Sequence, residues 1–315
     1  MFMPKHSQVY TFSYNAPSGD QGEQKRLDLF LTNKFPDSSR SLLQQLIKEG
    51  HVQINNKTVR KTGTAVEVGD AIIVKVPAQE EKVVATAAVV QSLGVTLVYQ
   101  TEAFAIVEKP AGLVTHAPHI QSKEISLCDW VVATFNTLEA VGYLDRPGIV
   151  HRLDKETSGL MIIPLTAVAH AKFSAMFKDR EIHKTYTALV VGHPDKKGVI
   201  NFPIARDQVV RNKMAHVAGG RDSETSYEVQ EYYEKNSLVH AYPVTGRTHQ
   251  IRVHFSVSGY PLVGDKLYGI ASHLLSRQAL HASKLEFVFE GKQYSFESVL
   301  PKDFLECLKK LKPFA

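Results

Sequence analysis

The chain reads as an α+β protein: a small αβ domain at the N-terminus, then a larger domain with a mixed, mainly antiparallel sheet and flanking helices. Three observations predict this. Two helices and a few short strands fill residues 23–79. The rest, 95–315, alternates several β-branched runs with isolated helical stripes and shows no internal repeat. The length of 315 residues suits about two domains. The composition, 43% hydrophobic and 22% charged, is that of a globular protein with a sizeable core.

Residues 1–22 are polar and broken by Pro4, Pro17, Gly19 and Gly22, which predicts a loosely ordered arm. Met1 to Ser13 lacks the apolar run of a secretory leader. Leu27, Phe30 and Leu31 have helical spacing, and Pro36 ends that helix. Ser38 or Ser39 can cap a second helix with the apolar face Leu43, Leu46 and Ile47, and Gly50 closes it. Val52 and Ile54 lead into an Asn55-Asn56 turn, and Gly69-Asp70 makes another turn before Ile72 to Val76. Residues 80–94 read as a linker into a strand. Val83 to Tyr99 is the most apolar window, but Thr86, Gln91, Ser92, Gly94 and Thr96 interrupt it, so it falls short of a membrane span.

In the larger domain, Ile149-Val150 and Leu160 to Ile163 read as two strands around a polar loop. Lys184 to Val191, Thr225 to Gln230 and Leu238 to Val244 are further strands. Phe173, Met176 and Phe177 mark one helix; Ile251, Phe255 and Ser258 mark another that ends at Gly259.

The formal net charge is +5. Between Lys25 and Lys75 there are nine Lys or Arg against five Asp or Glu, so most of the excess lies in the small domain, as a polyanion-binding surface requires. Cys128 and Cys307 are isolated, which predicts a reduced, cytoplasmic-type protein. The pairs His116/His119 and His249/His254 lack the further ligands of a zinc motif, so no metal is expected. There is no GxGxxG or phosphate loop, and no nucleotide cofactor is expected.

The chemistry centres on His151-Arg152-Leu153-Asp154, a carboxylate on a basic loop between apolar runs. Three segments bear on it: Lys109-Pro110-Ala111-Gly112 with His116 beyond it, Lys184-Thr185-Tyr186, and Gly246-Arg247-Thr248-His249-Gln250-Ile251-Arg252. A helix capped by Thr248 would set Arg247 at the positive end of the helix dipole, so Arg247 calls for an anionic partner, and Asp154 is the carboxylate to test. An Asp beside a cation stays ionised and suits nucleophilic attack or proton removal. No second carboxylate is paired with it as in a glycosidase.

In that order, and with Gly264-Asp265, Tyr268-Gly269 and Leu280-His281-Ala282 after them, these motifs resemble the RluA family of RNA pseudouridine synthases across nearly all of residues 95–315. Residues 23–79 resemble the RNA-binding domain named after ribosomal protein S4, through Arg26-Leu27-Asp28, Ser39-Arg40, Gly50, Ile54-Asn55-Asn56-Lys57 and Gly69-Asp70. That resemblance implies phosphate contacts from Arg40, Lys48, Lys57, Arg60 and Lys61. The RluA resemblance implies cofactor-free isomerisation of uridine to its C-glycoside, with RNA as partner and no membrane. It also implies roles: Asp154 as the essential acidic residue, Arg247 orienting it, and Tyr186 packing on the everted uracil. Arg152 would enter the vacated stack, with His151, Lys109 and His116 at the pocket. The domain arrangement points to large-subunit ribosomal RNA. Transfer RNA is the runner-up substrate, and a non-catalytic RNA-binding assembly factor or a hydrolase is the alternative activity.

Overall fold

A computed structural model describes residues 7–15, 25–77, 87–117, 122, 124–135, 141–143, 145–210 and 213–314. His119, most of the 1–22 arm and residues 80–86 lie outside them. The chain forms two compact units: Met1–Ser92 with His116–Ile149 and Pro164–His170, and Leu93–Thr115 with Val150–Ile163 and Ala171–Ala315.

In the first unit, helices Leu27–Lys34 and Arg40–Glu49 pack on a four-stranded antiparallel sheet ordered Gln8–Ser13, Ala71–Val76, Val52–Ile54, Lys57–Val59. Leu27, Leu31, Leu43, Leu46, Ile47, Val52, Val66, Ile72 and Val74 form its core. Ser39 is the cap of the second helix and accepts from Leu42 N at 3.2 Å. Gly50 closes that helix with φ +84°, a conformation that glycine alone adopts without strain. Asn55 and Asn56 both take positive φ, as a two-residue hairpin turn requires.

Two expectations fail here. Residues 8–13 of the supposedly loose arm are a strand paired with Ala71–Val76. Its period-two aromatics explain why: Tyr10 and Phe12 set their rings edge-on to Phe35, and Tyr14 does the same to Phe30. The segment read as a linker contains a short helix, Ala87–Ser92. The same unit includes the helix Leu127–Thr134, which begins in a Ser126–Asp129 capping box, and the strand pair Gly142–Tyr143/Arg146–Pro147. Asp145, between those two strands, accepts from Ser39 N at 3.1 Å and Ser39 Oγ at 2.6 Å.

The second unit is built on a nine-stranded sheet. Its order is Lys197–Ile200, Thr225–Tyr232, Asn236–Pro243, His183–Val191, Leu280–Phe289, Ser158–Pro164, Phe104–Lys109, Thr96–Gln100, with Lys292–Glu297 also on Leu280–Phe289. Pairing is antiparallel from Lys197–Ile200 to Leu280–Phe289, and Ser158–Pro164 joins the latter in parallel. Ser158–Pro164 is buried along its whole length. Ile149-Val150 is not a strand, so the polar loop feeds one central strand and is not a hairpin tip. Among the described residues no helix is long and apolar enough to cross a membrane.

Candidate active site

The loop before Ser158–Pro164 carries Asp154, and almost every backbone group around it is tied down. Thr115 Oγ1 donates to Leu153 O at 2.9 Å and accepts from Leu153 N at 3.3 Å. Thr157 N donates to Asp154 O at 3.0 Å, closing the turn. Lys155 O accepts from Gly112 N at 2.9 Å and from Lys109 Nζ at 3.1 Å. Arg277, paired with Asp303, donates to Glu156 O at 3.1 Å. Gly159 has φ +121°, and a Cβ there would fall on the Ala282 carbonyl oxygen of the parallel partner. A rigid strand and a tethered loop therefore set the direction of one carboxylate.

The partner of that carboxylate is Arg252. Its Nη1 donates to Asp154 Oδ2 at 3.0 Å. Its Nε and Nη2 donate to the two oxygens of Asp265 at 2.7 and 2.9 Å. Asp265 is fully buried and also accepts from Leu267 N and Tyr268 N. Burial opposes charge on Arg252, but the bonds and charge of Asp265, then those of Asp154, outweigh it and raise its pKa. Burial likewise acts to raise the Asp265 pKa, and the bidentate Arg252 contact overrides it and holds the carboxyl below its usual range. Asp265 and Arg252 thus neutralise each other, and the remaining guanidinium donor aims at Asp154. Among the described residues no hydrogen bond reaches Asp154 Oδ1.

Around this pair, the Arg252 guanidinium carbon lies 4.9 Å from the centre of the Tyr268 ring. The Tyr268 hydroxyl accepts from Met214 N and meets His249 Nδ1, both at 2.7 Å. His249 takes a left-handed φ of +56° and brings Nε2 to 3.8 Å from Asp154 Oδ2. Burial lowers the His249 pKa, with Asp154 partly opposing. Tyr186, on the strand His183–Val191, has its pKa raised by burial and then by the Asp154 charge, so it stays a neutral phenol. Arg152 is exposed next to Asp154.

Similarity to other proteins agrees with this geometry. Residues 103–257 match the model of the RNA pseudouridylate synthase family, and residues 25–72 match the S4 domain. A protein of Aquifex aeolicus named as an uncharacterized RNA pseudouridine synthase is 39% identical over 263 residues, covering 82% of each chain. The chain belongs to the RNA pseudouridine synthases. The ribosomal large subunit pseudouridine synthase D of Pseudomonas aeruginosa is 36% identical, covering 91% of this chain and 92% of its own. The solved structure of human RNA pseudouridylate synthase domain containing 1 is 26% identical with a TM-score of 0.57, covering 70% of this chain and 89% of that one.

Several residues of this synthase do other work than their motifs suggested. Arg247 does not pair with Asp154. The helix starts at Gln250 and its cap is His249, not Thr248. The Gln250 side chain gathers the preceding loop, accepting from Arg247 N and Thr245 Oγ1 and donating to Glu224 O and Thr225 Oγ1. Arg247 is turned aside and its Nε donates to Asp222 O at 3.0 Å. Arg252 takes the orienting place, inside the first turn. One signal for it was readable: a charge between Ile251 and Val253 on a buried helix must be paired.

His151 is half-buried, and both of its contacts are internal. Its Nε2 accepts from Ile162 N at 2.8 Å, and its ring stacks on Phe177 at 4.5 Å. Burial lowers its pKa to about 3, so it serves as a neutral acceptor stitching the loop to the strand. Lys109 is not at a pocket edge. It is fully buried, and its ammonium donates to the carbonyls of Pro110, Leu113 and Lys155. Burial brings its pKa down to about 7. His116 is half-buried and belongs to the first compact unit.

In the S4 domain, Arg40 donates to the buried Asp28 at 2.7 Å, and Arg60 Nη1 donates to Lys48 O at 3.1 Å. Both remain exposed, as do Lys48, Lys57 and Lys61.

Proposed function

We propose that this synthase isomerises specific uridines of large-subunit ribosomal RNA in the cytoplasm, with Asp154 as the reacting carboxylate. The observation that carries the reading is the asymmetry of that carboxylate: Oδ2 is held by Arg252 at 3.0 Å, and among the described residues no hydrogen bond reaches Oδ1. Supporting the ribosomal target are relatives of nearly full-length coverage that are named for the large subunit.

The target nucleotide must leave its stack, at a cost of a few kcal/mol. Arg152, exposed beside the loop, fills the gap it leaves, and Tyr186 packs on the everted uracil as a neutral ring. Asp154 attacks the ribose or removes a ribose proton as the bond from nitrogen to sugar breaks. The uracil turns and rejoins the sugar through C5; the C5 proton is then lost and N1 takes up a proton, which restores the ring. Product and substrate are isomers, so the atoms balance without a co-reactant. Arg252 keeps Asp154 aimed throughout. Arg40, Lys48, Lys57, Arg60 and Lys61 of the S4 domain hold RNA phosphates.

The test is a map of pseudouridines in total RNA from cells with and without the gene, rescued by the wild type and by Asp154→Asn. Sites in large-subunit ribosomal RNA should vanish without the gene and return only with the wild type. Loss confined to transfer RNA would overturn the ribosomal assignment, and rescue by Asp154→Asn would overturn the role of Asp154.

A further inference from the structure

His249 stands beside the reacting carboxylate without a part in the reaction described above. Its Nε2 lies 3.8 Å from Asp154 Oδ2, too far for a hydrogen bond, and forms none among the described residues. Its Nδ1 is 2.7 Å from the Tyr268 hydroxyl oxygen. His249 also sits in the left-handed region, φ +56°, at the start of the helix Gln250–Val257. A side chain held in that region costs energy that the surroundings must offset, and such residues gather at working sites.

Tyr268 decides which nitrogen of that ring carries the proton. The phenol oxygen accepts from Met214 N at 2.7 Å, a group that can only donate. Among the described residues the hydroxyl proton has one acceptor within reach, His249 Nδ1. Tyr268 therefore donates to Nδ1, and the proton of the neutral imidazole stands on Nε2, the nitrogen that faces Asp154. Burial lowers the His249 pKa and so favours that neutral ring. The tyrosine is itself fixed along its length. Its backbone N donates to Asp265 Oδ1 at 3.1 Å, its carbonyl accepts from Ser256 Oγ at 2.6 Å, and its ring centre lies 4.9 Å from the Arg252 guanidinium carbon. Asp265 thus anchors both the arginine that holds Asp154 and the tyrosine that orients His249.

We propose that His249 is a positioning residue for Asp154, its Nε2–H turned toward Oδ2 by the hydroxyl of Tyr268. That N–H and the Arg252 guanidinium face the same oxygen, so Oδ1 is the atom left to react. The opposite tautomer would set a nitrogen lone pair against the oxygen lone pairs and push the carboxylate out of line. Substrate binding closes the gap from 3.8 Å to a hydrogen bond, as catalytic contacts that are long in the free enzyme tighten in the complex. This role rests on Asp154 being the reacting carboxylate, as read above, and adds a device that selects which of its oxygens reacts.

Two measurements test it. Ring-nitrogen NMR of the histidine-labelled full-length protein, with the His249 signals assigned by their loss in His249→Gln, should show Nε2 protonated and Nδ1 bare at neutral pH. A proton on Nδ1 in the wild type overturns the assignment. Tyr268→Phe keeps the ring on Arg252, removes only the hydroxyl, and should leave the two tautomers mixed. The second measurement is single-turnover pseudouridine formation in an unmodified transcript of large-subunit ribosomal RNA. Tyr268→Phe and His249→Leu should each lower the maximal rate by about tenfold or more, with the half-saturating enzyme concentration unchanged. His249→Gln, whose amide can place a donor near the position of Nε2, should recover much of that rate. Because the hydroxyl acts through the ring, Tyr268→Phe should not slow His249→Leu further. A wild-type rate in His249→Leu, no gain from Gln over Leu, or equal slowing by Tyr268→Phe in both backgrounds overturns the positioning role while the wild type still converts uridine. If the wild type makes no pseudouridine in that transcript, the functional reading fails and takes this role with it.

Discussion

Arg252 joins two carboxylates with one guanidinium: a fork of 2.7 and 2.9 Å on Asp265, and a single bond of 3.0 Å to Asp154. The three residues come from the loop before a central strand, from the first turn of a helix and from the turn after it. The division of labour follows from donor count. A guanidinium has enough donors for a bidentate partner and one more, and an ammonium does not have that planar arrangement.

Arg252→Lys should therefore keep a positive charge and lose the geometry. The turnover number for pseudouridine formation should fall by about 10²-fold or more, the usual loss when one preorganised donor is removed. Single-turnover conversion of a uridine-containing RNA measures it, and a rate near that of the wild type would refute the orienting role.

Asp265→Asn should act on stability first. It removes the carboxylate that neutralises a buried guanidinium, and breaking such a pair costs about 3–5 kcal/mol. Urea unfolding followed by circular dichroism reads the loss, which should exceed that of Asp154→Asn, since Asp154 is the more exposed partner.

Lys109→Met should loosen the catalytic loop from beneath. The Pro110 and Leu113 carbonyls lose their ammonium donor, whereas Lys155 O keeps Gly112 N. One buried and one part-buried acceptor left without a donor predict a loss of roughly 2–6 kcal/mol. Activity should fall with it, and hydrogen exchange at the Thr157 amide should speed up if the turn opens.

Asp28 supplies a pH dependence in the S4 domain. Burial acts to raise its pKa, but hydrogen bonds from Arg40, Gln44 and Arg26 override this and bring it down to about 2, from an ordinary 3.8. The folded state therefore holds the carboxylate more firmly than the unfolded chain does. Its stabilising contribution is complete above about pH 4 and is lost as the pH falls toward about 2. Thermal unfolding of the wild type should show that decline, and Asp28→Asn should be less stable at neutral pH and flatter across that window.

The local grammar of the chain carried much of this. Ser39 and Gly50 bound a helix because a hydroxyl can accept from the amide of Leu42 and glycine can take φ +84°, properties of single residues in their immediate surroundings. The Asn55-Asn56 turn, the strand at Tyr186 and the order of the motifs around Asp154 were readable for the same reason. The strand Gln8–Ser13 was also readable, from the alternation of Tyr10, Phe12 and Tyr14, but the flanking glycines and prolines hid it. The partner of Asp154 was not. Arg247 and Arg252 lie in one motif, both are arginine, and the dipole argument favoured the wrong one.

Local order, then, follows from which residues stand within a few positions of each other, and the chain alone pointed to most of the elements and to the loop that carries Asp154. Folding had to choose which arginine meets Asp154, 98 residues away in sequence. Gln250 gathers the loop and turns Arg247 aside, and Asp265 neutralises Arg252 where it enters the interior. A buried charge is stable only beside its counter-charge, and that companion is found in space, not in sequence.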